Sequence, residues 1–166
     1  MTNTVDPTQI ATADLCDAHA DQLQIAQPIF RSYGGCRQFG GRIMTVQVFK
    51  DNVLVRRQLE RAVSGAVLVI DGGGSLECAL VGDIMAGLAV ENGWRGIVVN
   101  GCIRDAAAIA GLQLGIRALN THPLKSGKRG TGQENLPVTF AGVTFRPGDY
   151  LYADDDGMVI SASPLV

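Results

Sequence analysis

With 166 residues, 46% of them hydrophobic and 18% charged, the chain is long enough for one domain with a substantial core and too short for two ordinary ones. A formal net charge of −2 offers no general attraction to nucleic acid or to anionic membranes. No apolar stretch approaches the ~20 residues of a membrane span, and MTNTVDPTQIATADLCDAHAD lacks the basic-then-apolar order of a signal peptide.

In chain order, residues 8 to 23 read as a first helix, with Ile10, Leu15, Ala18 and Leu23 on roughly one face and prolines at 7 and 28. The glycine-punctuated YGGCRQFGGR reads as a loop, and IMTVQVF (43–49) as a strand. Asp51-Asn52 is a turn or cap signal opening a short helix, VLVRRQLERAV. The continuous apolar run AVLVI (66–70) marks a strand covered on both faces. Asp83 is a candidate N-cap, followed by an apolar stripe of Ile84, Leu88 and Ala89 that Asn92-Gly93 stops. Ile97 to Val99 predicts a third core strand, Ile103 to Leu112 a short helix and Gly115 to Leu119 another strand. Residues 122 to 137 predict a polar, mobile loop. The C-terminal VTFAGVTF and YLYADDDGMVI alternate as strands, with Pro147-Gly148 and Asp156-Gly157 as turns. This order implies an α/β fold with a mixed sheet, βα units in the middle and antiparallel strands around them, in a single domain spanning 1–166.

Several motifs resolve into structural roles. Gly72-Gly73-Gly74 follows a core strand, yet a dinucleotide fingerprint wants glycine at its sixth position, where Glu77 stands; a tight turn is expected. Asp154-Asp155-Asp156-Gly157 cannot supply the alternating ligands of a calcium loop and reads as a hairpin turn. Cys16, Cys36, Cys78 and Cys102 fall in no CxxC spacing, which argues against zinc and for reduced thiols in a cytoplasmic protein. His19 reads as solvated, His122 as a surface residue sooner than one lining a pocket, and Lys125, Lys128 and Arg129 as a basic surface loop.

Arg104-Asp105 differs in kind, because adjacent opposite charges end a buried strand and neighbours in sequence cannot readily pair with each other. Asp83 and Arg104-Asp105 both follow core strands, whose loops would open on one sheet edge. There the N–H groups of Gly82, Asp83, Ile84 and Met85 at a helix N-terminus would seat a carboxylate. Arg104 would hold that carboxylate or an adjacent carbonyl, and Asp105 would anchor a hydrated divalent cation such as magnesium.

Asp83, twenty intervening residues and Arg104-Asp105 form a recognisable pattern. With DLCDAH, YGGCRQFGGR, VLVIDGGGSLECALVGDIMAGLAVENGWRGIVVNGCIRD and FAGVTFRPGDYLYADDDGMVI, the chain resembles, over nearly its whole length, the family of the regulator of ribonuclease activity A (RraA) and the class II 4-hydroxy-4-methyl-2-oxoglutarate aldolases. The resemblance implies a swivelling β/α/β fold with helices outside, assembled as a ring-like homotrimer or hexamer. It also implies a lyase that uses magnesium or manganese to release pyruvate from small 2-oxo acids at clefts between subunits. By the same resemblance, Gly82 to Met85 and Arg104 bind the pyruvyl part, Asp105 holds the metal, and Asp83 works on a water in acid/base steps. Ala108 stands where active members often carry an acid, and no carboxylate side chain follows Asp156. Oxaloacetate decarboxylation is therefore expected more firmly than aldol cleavage. The family's other implied role is a protein-binding regulator that inhibits an endonuclease of the RNA degradosome. A methyltransferase role, a name also given to relatives, finds little support in the glycine stretch.

Overall fold

The structure is a computed structural model that describes residues 9–166. Its elements run α1 (Thr12–His19), a 3-10 turn (Ala20–Gln22), β1 (Leu23–Ile25), β2 (Arg31–Ser32), β3 (Phe39–Gln47), α2 (Val53–Leu59), β4 (Val67–Asp71), β5 (Ala79–Val81) and α3 (Asp83–Glu91). They continue as β6 (Gly96–Ile103), α4 (Ala106–Ile109), β7 (Gly115–Thr121), β8 (Gln133–Glu134), β9 (Val138–Phe140), β10 (Val143–Phe145), β11 (Tyr150–Asp154) and β12 (Gly157–Ser161). One mixed sheet has the order β1-β12-β11-β3-β4-β6-β7-β2, with β5 added to the end of β6 and β8 to β3, while β9 and β10 form a separate hairpin. Within it β3, β4, β6 and β7 are parallel, and the flanking strands are antiparallel.

The run at 66–70 behaves as its composition requires. Leu68 and Ile70 pack with Leu54, Leu59, Ala86 and Ala89 of the helices on one face. Val67 and Val69 pack with Val138, Phe140, Val143 and Phe145 of the β9–β10 hairpin on the other. Alternation along a strand sends successive side chains to opposite faces, so a strand buried on both must be apolar throughout. Asp71, the first polar residue after the run, ends β4 at the edge where the parallel strands deliver their loops.

Several boundaries differ from expectation. The first helix covers only Thr12–His19, with Leu23 already in β1; residue 8 lies outside the described residues. Part of the glycine-rich loop is strand: β3 starts at Phe39 and carries Gly40 and Gly41, where a Cβ would meet Ile10 and Tyr152 at 2.9 Å or the Gly65 carbonyl. Gly96 and Gly115, at the starts of β6 and β7, flank the Phe39 ring, and a Cβ at either would collide with it. The third core strand runs on to Ile103, and the helix after it begins only at Ala106. The C-terminal hairpin turns on Asp155-Asp156, because Gly157 already pairs with Asp154.

The expected mobile loop is tied down instead. The buried Asp51 carboxylate accepts N–H bonds from Arg129 (2.6 Å), Gly130 (3.0 Å) and Thr131 (3.5 Å), and from Val53 at the start of α2 (3.1 Å). Burial alone would push this carboxyl up, and the backbone donors outweigh it and hold Asp51 below the usual carboxylate range. Among the described residues, no helix is long and apolar enough to cross a membrane.

Candidate functional site

Three neighbouring strand ends build the site. β5 and β7 flank the last residues of β6, pairing Val81 and Thr121 with Ile103. The ladder continues one step beyond, with Arg104 N–H donating to the Val81 carbonyl (2.9 Å) and His122 N–H to that of Ile103 (2.9 Å). Val81 and Ile103 are buried, so Gly82 and Arg104 leave a fixed core edge rather than a loose loop.

Gly82, not Asp83, is the N-cap of α3, and Asp83 is its first helical residue. The buried stripe of α3 is Met85, Ala86 and Ala89, while Ile84 points outward with 69% of its surface exposed. At this helix start two N–H groups already meet carboxylates. Asp83 N–H donates to Asp105 Oδ2 (3.1 Å), and Ile84 N–H to Asp83 Oδ1 (2.9 Å). A helix N-terminus presents unpaired donors and partial positive charge, which is why carboxylates gather there.

Asp105 reaches this position through its backbone. Its φ of 59° and ψ of 40° place it in the left-handed region, where aspartate is among the few tolerated side chains. That single residue turns the chain between β6 and α4, and its carboxylate reaches back to the start of α3 rather than capping its own helix. The Asp83 N–H bond outweighs the opposing effect of desolvation and, with lesser help from the Asp83 side chain and the Arg104 charge, holds Asp105 below the usual carboxylate range. Gly82 makes the approach possible, because a Cβ there would stand 2.8 Å from Asp105 Oδ2 and 3.5 Å from Arg104 Nε. Arg104 is half-buried and joins no ion pair among the described residues. Its charge stays available to an anionic ligand.

The structure thus brings Gly82, Asp83, Ile84, Met85, Arg104 and Asp105 to one edge. His122 stands beside Arg104 on the next strand end, half-buried, its Nδ1 accepting the Leu124 N–H (3.1 Å). The glycine triplet is a clamped turn: Gly72 and Gly74 N–H groups both donate to the Asn100 carbonyl, and Gly73 and Gly74 have positive φ. The fold also uses buried polar residues outside the site motifs, namely Asp51, Asp71 and Arg117. Asp51 carried a local signal as a turn or cap residue, and Asp71 one as the carboxylate ending an unbroken apolar run; Arg117 carried none.

Could these residues hold a divalent metal? Among the described residues, no group of three or more His, Cys, Asp or Glu gathers. The site offers the Asp105 carboxylate next to that of Asp83, at an exposed edge open to water. A hard ion that keeps most of its water and takes one or two carboxylates fits this donor set; zinc, which favours nitrogen and sulfur, does not.

A family model described as RraA-like, Aldolase/RraA, matches residues 12–160. A Laribacter hongkongensis protein provisionally named a 4-hydroxy-4-methyl-2-oxoglutarate aldolase is 59% identical over 155 residues, which is 93% of this chain and 98% of the relative. One of the same provisional name from Aromatoleum aromaticum is 56% identical over 158 residues, 95% of this chain and 99% of the relative. Among solved structures, an S-adenosylmethionine:2-dimethylmenaquinone methyltransferase from Geobacillus kaustophilus superposes with a TM-score of 0.93 at 49% identity, covering 94% of this chain and 97% of the other. The RNA-processing inhibitor RraA from Thermus gives 0.92 at 40% identity, covering 95% and 96%.

Proposed function

The chain belongs to the RraA-like family, and from that premise we propose that it is a metal-dependent carbon–carbon lyase releasing pyruvate from small 2-oxo acids. The aldolase names of its relatives support the lyase class. Within that class we place oxaloacetate decarboxylation first and 4-hydroxy-4-methyl-2-oxoglutarate cleavage second. The observation that carries the reading is the Asp83 N–H bond to Asp105 beside an Arg104 with no ion-pair partner among the described residues.

Breaking the bond between C3 and C4 of oxaloacetate sends its electrons through C3 onto the C2 carbonyl, releasing carbon dioxide and leaving a pyruvate enolate. Asp105 would hold magnesium or manganese, which when bound supplies Lewis-acid stabilisation of that enolate. The Arg104 guanidinium would bind the substrate carboxylate or the oxygen on which charge develops, in a fork suited to planar anions. Of the donors at the start of α3, the Gly82 and Met85 N–H groups would orient the same carboxylate, since those of Asp83 and Ile84 already meet carboxylates of the chain. Asp83, exposed at the mouth, would work through a water to return a proton to C3, or to take one from the C4 hydroxyl in aldol cleavage. A homotrimer or hexamer with clefts between subunits would cover this edge, where Ile84 is exposed.

The test is pyruvate release from oxaloacetate with added magnesium or manganese, corrected for decarboxylation by metal alone. Turnover that disappears with EDTA, with Arg104→Ala and with Asp105→Ala supports the proposal. Folded protein with no turnover above the metal blank would refute it and put the inhibitor role, the activity carried in the name of the Thermus relative, in its place.

A further inference from the structure

A pocket opens over the C-terminal ends of β3 and β4, beside Gly73 of the glycine turn. It is an open groove of about 470 Å³ lined by Gln47, Phe49, Asp71, Gly73, Thr131 and Gln133 among others. That volume exceeds the roughly 30 Å³ share of one water many times over and falls in the ~300–1,000 Å³ range of small-molecule sites.

Its floor is a carboxylate only half satisfied. Asp71 is 8% exposed, and its Oδ1 accepts both the Gly73 N–H (2.9 Å) and the Asn100 side-chain amide (3.0 Å). Oδ2 meets no protein donor, and no ion pair involves Asp71 among the described residues. Because no fully enclosed side-chain oxygen or nitrogen lacks a partner there, Oδ2 must reach the pocket. Oδ2 therefore takes its partner from whatever fills the pocket, and an occupant that brings N–H groups and positive charge suits it better than water alone.

The walls narrow the chemistry. Phe49 is 62% exposed, and the Lys50 ammonium already lies 5.2 Å from its ring centroid while paired with Glu77, so the ring sits where a cation is accommodated. Gln47 and Gln133 are exposed, and their side-chain amides make no hydrogen bond among the described residues. A hydrated divalent ion would make no use of the exposed Phe49 ring, and an inorganic anion would face Asp71. We propose that this pocket is a binding site, separate from the lyase edge, for a small primary ammonium compound. Its three N–H donors meet Asp71 Oδ2 and the two glutamine carbonyl oxygens, and its carbon chain lies on Phe49.

The test does not depend on turnover. Amide chemical shifts are followed in the full chain during titration with n-butylammonium chloride, and separately with n-butanol and sodium butyrate at matched ionic strength. Saturable shifts at the Gly73 and Gly132 amides with butylammonium alone, leaving Asp83 and Asp105 unmoved, support the site. Asp71→Asn, which keeps the acceptor for Gly73, should weaken binding at least tenfold. Phe49→Ala, at an exposed position where folding is not in question, should weaken it about fivefold. An equal response to butanol or butyrate, binding indifferent to both substitutions, or no saturation at tens of millimolar would overturn the proposal. So would a change of oligomeric state on Asp71→Asn without ligand binding, which would assign the pocket to a basic side chain of a second copy.

Discussion

Replacing Gly82 with alanine tests the site through a single methyl group. The Gly82 backbone lies at φ −120° and ψ −170°, an extended conformation open to any residue, so the substitution brings no torsional strain. The new carbon would stand 2.8 Å from Asp105 Oδ2, and that oxygen must retreat by about 0.6 Å to reach an ordinary 3.4 Å contact. Its 3.1 Å bond from the Asp83 N–H then goes slack, and the carboxylate leaves the place from which it would hold the metal. A misplacement approaching 1 Å costs on the order of a hundredfold in rate, so kcat/KM for pyruvate release should fall by about tenfold to a hundredfold. The melting temperature should hold, since Gly82 sits past the last buried residue of β5. The Asp83 amide proton should move upfield as it loses a charged acceptor. Wild-type kcat/KM together with an unmoved Asp83 amide would refute the contact argument, and the amide alone decides the matter if the parent protein is inactive.

Asp51→Ala removes the acceptor shared by Val53 and the 129–131 backbone and should cost about 3 kcal/mol or more in urea unfolding at neutral pH. Because the folded carboxyl titrates below an unfolded one, this contribution is complete above about pH 4 and fades as pH falls through the folded value. The gap between wild type and Asp51→Ala should therefore shrink in acid. Gly115→Ala drives a methyl into the Phe39 ring and should destabilise by about 1–3 kcal/mol; Phe39→Leu in the same chain should recover part of that loss, measured as a double-mutant cycle. Arg117 is 5% exposed and donates to the carbonyls of Arg37 (2.6 Å) and Asp154 (3.0 Å) and to Ser32 Oγ (2.9 Å). Arg117→Met should lower stability by roughly 2–4 kcal/mol, and Arg117→Lys should rescue little, because an ammonium cannot span that fork.

The parts legible in the sequence were those in which a local pattern has one physical solution. An apolar run with no polar break must lie between two covering layers, and AVLVI does. Charged residues that follow core strands collect at one sheet edge, and Asp83, Arg104 and Asp105 do, although Asp83 leaves the unforeseen short strand β5 rather than the 66–70 run. Features that depend on distant partners stayed hidden. Nothing local shows that Asp51 holds residues 78 to 80 positions further on, or that Gly96 and Gly115 make room for Phe39. The capping role expected of Asp83 went to Gly82 because Asp105 crosses over that point and leaves no space for a side chain. Ile84 reads as a core residue by period alone, yet the buried stripe of α3 is turned by one position toward Met85.

The side chains of Asp83, Arg104 and Asp105 project beyond the last buried residues of their strands, past Val81 on one side and Ile103 on the other. The interior has no stake in what those side chains are. A lineage carrying this scaffold can silence its chemistry by one change at 83, 104 or 105 and keep a protein that folds, ready for other employment. Relatives of one architecture named after an aldolase, a methyltransferase and an inhibitor of RNA processing are what such severable chemistry leads one to expect.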